Sequence, residues 1–134
     1  MTPRKPWWRR WFGTRSERAA ERFLRRQGLR VVARNVSSPH GEIDIIALDG
    51  RTVVFVEVRS TEDINTTGPA ESINQRKQEK LTRAALDFLK RRGLLDHAAR
   101  FDALLISWPP NQREPRIEHI RQAFESVGRW QMYS

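Results

Sequence analysis

Residues 41–60, GEIDIIALDGRTVVFVEVRS, constrain the fold more tightly than any other stretch of the chain. Two runs rich in β-branched residues flank Asp49-Gly50, a pair suited to a two-residue turn with positive φ at both centres. The spacing predicts a hairpin in which Leu48 opposes Arg51, Asp44 opposes Phe55 and Glu42 opposes Glu57. Opposed residues share a face and side chains alternate along a strand, so Glu42, Asp44, Phe55, Glu57 and Arg59 are expected on one side. Ile43, Ile45, Val54, Val56 and Val58 are expected on the other. A single bulge would break that register.

The flanking segments supply partners for such a hairpin. From Ser16 to Gln27, Ala19, Ala20, Phe23 and Leu24 recur at helical spacing, with Thr14 or Ser16 as cap and Gly28 as stop signal. Leu29 to Val36 reads as a strand. After a polar loop, Ser60 to Pro69, a second amphipathic helix is expected from Asn74 to Arg92, with Leu81, Ala84, Ala85, Phe88 and Leu89 as its buried stripe and Gly93 ending it. Phe101 to Ser107 has the continuous apolar character of a strand buried on both faces, and Ile117 to Ile120 adds a short edge strand. The order is helix, three strands, helix, one or two strands, an α/β arrangement.

A chain of 134 residues can bury one core without a metal or disulfide, and no window is apolar enough for a spanning helix. It has no Cys, which excludes thiol catalysis and cysteine-ligated metals and fits a cytoplasmic protein. The formal charge of +9 is localised. Residues 1–34 carry eleven basic side chains against Glu17 and Glu21, and the remainder balances, 14 against 14. That front end, including Arg15, Arg18, Arg22, Arg25 and Arg26, is either a surface for nucleic acid or a solubilising one. Residues 1–12, rich in Trp and Arg, form an extension that could lie on a membrane surface, stack on bases or fold back on the domain. The domain is expected over residues 13–125, followed by a tail over 126–134.

The carboxylates carry the chemical argument. Two of them ~6 Å apart repel by ~3 kcal/mol at an effective dielectric of 20, a cost that a divalent cation offsets directly. A cation held there can polarise a phosphodiester and lower the pKa of a bound water, while Arg59 neutralises developing charge on the phosphate. The competing reading is a solvated face of an antiparallel sheet, with Arg59 paired to a neighbour. The three histidines, His40, His97 and His119, have no mutual ligand spacing, and only His40 lies beside the GEID strand. Asp102, in Arg100-Phe101-Asp102, reads as structural.

The order GEIDIIA, FVEVRS, a helix opening near Lys77, then RFDALLIS resembles the YraN family of small bacterial proteins. That family belongs to the PD-(D/E)XK nuclease superfamily, on the Holliday-junction-resolvase-like side. The similarity spans roughly Gly13 to Phe124. It implies a restriction-endonuclease-like αβββαβ core, a mixed sheet flanked by helices. It also implies Asp44 and Glu57 as ligands of Mg²⁺ or Mn²⁺, Glu17 as the acid of the first helix, with Ser16 in place of a glycine, and Lys77 as a basic position of the second helix.

The superfamily's catalytic Lys is replaced here by Arg59. A guanidinium stays charged and cannot accept a proton at neutral pH, so this exchange keeps charge stabilisation and removes a base, a role Lys77 could take over from its helix. The expectation is a metal-dependent phosphodiesterase, an endonuclease acting on DNA, branched or single-stranded, with Glu17, Asp44, Glu57, Arg59 and Lys77 at its centre. Arg15, Arg18, Arg22, Arg25, Arg26 and Lys80 would grip nucleic acid, and a homodimer is left open. The alternative is a nuclease fold weakened at Arg59 that only binds nucleic acid.

Overall fold

The computed structural model describes residues 15–60 and 73–124. The expected extension over 1–12, the Thr14 cap, most of the Ser60–Pro69 loop and the tail over 126–134 lie outside the described residues. The elements follow in the order α1 (Arg15–Arg26), β1 (Arg30–Ser38), β2 (Gly41–Asp49), β3 (Thr52–Ser60), α2 (Gln75–Arg91), β4 (Ala99–Ser107) and β5 (Arg116–Phe124). The strands form one mixed sheet in chain order, antiparallel except for β3 and β4, which run parallel. A parallel pair needs a crossover, and α2 supplies it. No described helix is long and apolar enough to cross a membrane.

Each helix covers one face of the sheet. Leu81, Ala84, Ala85 and Leu89 of α2 pack with Ile46, Val53, Phe55 and Phe101. Ala20 and Leu24 of α1 pack on the opposite face with Ile45, Ala47, Val54, Val56, Leu104 and Ile106. At about 1.5–3 kcal/mol for each fully buried aliphatic or aromatic side chain, these two layers are the main favourable term. They also count against the competing reading of a solvated carboxylate face, because the central strands are covered on both sides.

The hairpin differs from the expected register. Asp49 pairs with Thr52 and Leu48 with Val53, so Gly50-Arg51 rather than Asp49-Gly50 makes the turn. Gly50 has φ 62 while Arg51 keeps an ordinary negative φ, the sign pattern of a type II′ turn with glycine first. The cause is tertiary: the Asp49 carboxylate accepts from Arg100 at 2.9 Å and from Arg121 at 3.4 Å, which holds it in the strand.

A second correction concerns Ile43. It packs under α2 with Ile46, whereas strict alternation from Ile45 would turn it toward α1. The break falls between the rungs Arg34↔Ile45 and Val36↔Ile43, where Asn35 of β1 stands opposite Asp44. Asn35 has φ 50, a left-handed conformation that asparagine tolerates better than most residues. The β2–β3 ladder also ends here, at Ile45↔Val56, and Glu42 pairs with Ser37 of β1 instead of opposing Glu57.

Between β4 and β5 a buried polar cluster pins the edge strand. Asp102 is fully buried and accepts from Arg100 Nε at 2.9 Å, pairs with His119 Nε2 at 2.8 Å and accepts the Gln122 N–H at 3.0 Å. Gln122 sits at φ 50 where β5 departs from regular pairing with β4, so the carboxylate satisfies the N–H that the irregularity frees. Burial alone would raise this carboxyl. The hydrogen bonds from His119, Arg100 and Gln122, with the Arg100 charge, outweigh it and hold it below the ordinary value. Asp102→Asn is therefore expected to lower the stability at pH 7 by about 3 kcal/mol, measured as a reduced urea midpoint at unchanged slope. Because the folded carboxyl titrates below its unfolded value near 3.9, its contribution is complete above about pH 4 and fades as pH falls further. The stability gap between the two proteins should close in that acidic window.

Candidate active site

The departure of β2 from β3 builds the site. At the rung where the ladder ends, the Val58 N–H donates to Asp44 Oδ2 at 2.9 Å, so a side chain replaces the lost strand partner. That bond draws the Asp44 carboxylate inside, although the residue as a whole is only partly buried. Glu57, one residue earlier on β3, is 5% exposed. It lies level with Ala103 of β4, between the ladder break and the parallel strand.

Two cations converge on the same oxygen of Glu57. Arg59 Nη1 lies 3.4 Å from Oε2 and Lys77 Nζ lies 3.3 Å from it. Lys77 is in the first turn of α2, whose N-terminal dipole disfavours a cation. Asn74 fixes that turn by accepting the Lys77 N–H at 2.9 Å, and Glu57 compensates the ammonium. Arg59 and Lys77 thus reach one point from different elements, a juxtaposition the sequence separation hides.

Asp44 carries the electrostatic signature of the site. Its carboxyl is pushed up to about 8, first by burial, then by the Glu57 charge and more weakly by Glu17; the Val58 N–H and Lys77 act the other way. Glu17, in the first turn of α1, thus feels Asp44 across the sheet, and its Oε1 atom is buried. Among the described residues, no three acidic or imidazole side chains stand close enough together to cage a cation. The donor set nevertheless suits one: Asp44 and Glu57 are neighbouring buried carboxyls, and burial and then the Glu57 charge disfavour the charged form of Asp44. A divalent cation would offset both effects.

A contact the sequence does not announce holds α1 in place. Trp108 Nε1, at the end of β4, donates to Ser16 Oγ at 2.8 Å, and the Arg15 guanidinium lies over the Trp108 ring at 3.9 Å. The residue expected as a helix cap is instead a tether, and Glu17 follows it directly. The other sequence-derived candidates scatter. Arg25 pairs with Glu21, which also binds Arg34 at 3.2 Å on the β1 side of the helix. Arg22 and Arg26 are exposed on the β5 side, and Arg18 is exposed on α1. Lys80 is exposed on α2 beside the Gly41 turn. His40 lies in that turn, where its backbone N–H donates to Ser38 Oγ at 3.1 Å. The expectation about Glu42 is corrected: it has no place opposite Glu57.

Asn35 is the residue that sequence reasoning passed over. It is 4% exposed, and both polar atoms of its side-chain amide are buried with no hydrogen-bond partner among the described residues. Its signal in the sequence was only a polar residue between Arg34 and Val36 in a β-branched run.

Comparison with known proteins follows the same span. The model of the family described as uncharacterised protein family UPF0102 matches residues 16–106, which include Glu17, Asp44, Glu57, Arg59 and Lys77 but stop short of Trp108 and β5. A UPF0102 protein of Rhodopirellula baltica is 44% identical over 119 residues, 87% of this chain and 71% of the relative. One from Desulfosudis oleivorans is 43% identical over 118 residues, 88% of this chain and 93% of the relative. One from Geobacter sulfurreducens is 42% identical over 114 residues, covering 84% and 88% respectively.

The raised Asp44 carboxyl has a measurable consequence. With a folded value of about 8 and an unfolded value near 3.9, the folded state loses stability as pH rises between the two. Asp44→Asn keeps an acceptor for the Val58 N–H and removes the buried charge. In EDTA it should be more stable than the parent at pH 8 by more than about 1 kcal/mol, with no such gain at pH 4, read as thermal midpoints across the range.

Proposed function

The chain belongs to the UPF0102, or YraN, family, and on that premise we propose that it is a metal-dependent phosphodiesterase acting on nucleic acid. The observation that carries this reading is the meeting of a buried acid pair, Asp44 and Glu57, with two cations from separate elements, Arg59 and Lys77. Packing alone has no use for such an arrangement, since two buried like charges cost stability that an apolar pair would not. Phosphodiester hydrolysis needs what they offer: acidic ligands for Mg²⁺ or Mn²⁺, and positive groups where negative charge develops on the phosphoryl oxygens.

In this reading Asp44 and Glu57 would hold the cation together with Glu17, and the bound ion would supply Lewis acidity and an acidified water. Arg59 presents a fixed positive charge to the phosphoryl oxygens. Its guanidinium cannot take a proton from the attacking water, and the Lys77 ammonium, ion-paired with Glu57, has no lone pair to take one either. Lys77 is thus assigned an orienting role at the site, and Arg59 the electrostatic one.

Calorimetric titration with Mn²⁺ should show binding to the parent protein that is lost in Asp44→Ala. A labelled oligonucleotide incubated with Mg²⁺ or Mn²⁺ should be cut by the parent. Cleavage should fall at least about a hundredfold in Asp44→Asn and Glu57→Gln, on the scale seen when a group stabilising transition-state charge is removed. Lys77→Ala should be similarly impaired; undiminished cleavage by it would remove Lys77 from the mechanism. A second reading is favoured by Arg59 itself: with no lysine at that position the fold could serve binding alone. Cleavage that appears only in Arg59→Lys would establish a weakened nuclease, and silence in both forms would favour binding.

A further inference from the structure

The basic face of α1 is divided by pairing. On the β1 side Arg25 and Arg34 share Glu21, so their charge is largely spent within the fold. On the β5 side Arg22 and Arg26, four residues apart and exposed, make no ion pair or side-chain hydrogen bond among the described residues. They overlook a cleft of about 160 Å³ between α1 and the start of β5, lined also by Phe23, Pro115 and Ile117, with Glu114 as the one acidic side chain in its wall. At the near end Trp108 and Arg15 are stacked beside Ser16. At the far end Phe23 meets the edge of His119, with ring centroids 5.9 Å apart. The cleft thus runs along α1, the helix whose first turn carries Glu17.

We infer that this cleft binds a single-stranded nucleic-acid segment and feeds it toward Asp44 and Glu57, an inference that rests on the phosphodiesterase reading. Two guanidiniums with no ion pair among the described residues, set over a half-buried apolar floor, match a ligand that is anionic along one side and flat and apolar along the other. An unpaired strand has that character, with phosphates for Arg22 and Arg26 and base faces for Phe23, Pro115 and Ile117. A duplex does not, because its bases are stacked on one another and only phosphate ridges would reach the cleft, leaving the apolar floor without a partner.

The test is fluorescence anisotropy with the full chain in EDTA, so that binding is read apart from any cleavage. The probes are labelled oligothymidylate, an abasic strand of the same length, and a matching duplex. Oligothymidylate should bind about tenfold or more tighter than either, and the Arg22→Ala/Arg26→Ala variant should lose that advantage. Its plot of log affinity against log salt should be shallower by about 1.4, two phosphate contacts on a single strand. Arg51→Ala/Arg83→Ala removes the same charge from surfaces away from the cleft and should bind like the parent. The inference is overturned if the duplex binds as well as the single strand, if the abasic strand matches oligothymidylate, or if the two double variants bind alike. Selective binding without cleavage would sink the enzymatic reading and support the cleft; cleavage with binding indifferent to Arg22 and Arg26 would do the reverse.

Discussion

The hydrogen bond from the Val58 N–H to the Asp44 carboxylate is the contact on which the site depends. Sheet strands do not part without leaving backbone groups unpaired, and a buried N–H without a partner costs about 1–3 kcal/mol. By taking that N–H, Asp44 lets β2 turn away from β3 within the core instead of at its edge. The same bond draws a carboxylate inside, next to Glu57, where burial makes each charge strongly felt by the other. Asn35, on the facing rung, absorbs the backbone change with its positive φ. The buried acid pair, the convergence of Arg59 and Lys77, and the switch of Ile43 to the α2 face all accompany this one irregularity.

Two polar anchors, one between β2 and β3 and one between β4 and β5, have different characters. The Asp102 cluster is closed: hydrogen bonds from an arginine, a histidine and a backbone N–H lower its carboxyl, as expected of a structural device that locks an edge strand. The Asp44 pair is the opposite case: burial and the Glu57 charge outweigh the Val58 N–H and Lys77 and raise its carboxyl. A buried carboxyl whose charged form the fold disfavours is a cost that folding does not require. That contrast separates the two clusters, though both are acidic and both lie beside β-bulges or ladder breaks.

Much of the architecture was legible in the chain. Helix limits fell within one or two residues, because glycine stops and the 3.6-residue repeat are local signals. The covering of both sheet faces was foreshadowed by the continuous apolar run of β4. Asp44, Glu57 and Arg59 stood out through motif spacing, and Lys77 through the resemblance. The hairpin register was misread, since Asp49-Gly50 is the better turn by propensity and only Arg100 and Arg121, distant in sequence, keep Asp49 in its strand. Trp108 and Ser16, Asp102 and His119, and Asn35 and Asp44 were not paired by the sequence reading because each contact joins separate elements.

The chain by itself determines the elements and the chemical inventory, because helix periodicity, β-branched runs, turn residues and charge are properties of neighbours along the backbone. It also determines that the positive excess lies at the front. Tertiary structure alone decides which charges cancel: Glu21 takes up Arg25 and Arg34, Glu57 gathers Arg59 and Lys77, and Arg22 and Arg26 are left facing a cleft. The reason is that electrostatic energy depends on distance and burial in space. Residues far apart in sequence set both, so no reading of local pattern could distinguish the arginines paired within the fold from those exposed beside a cleft.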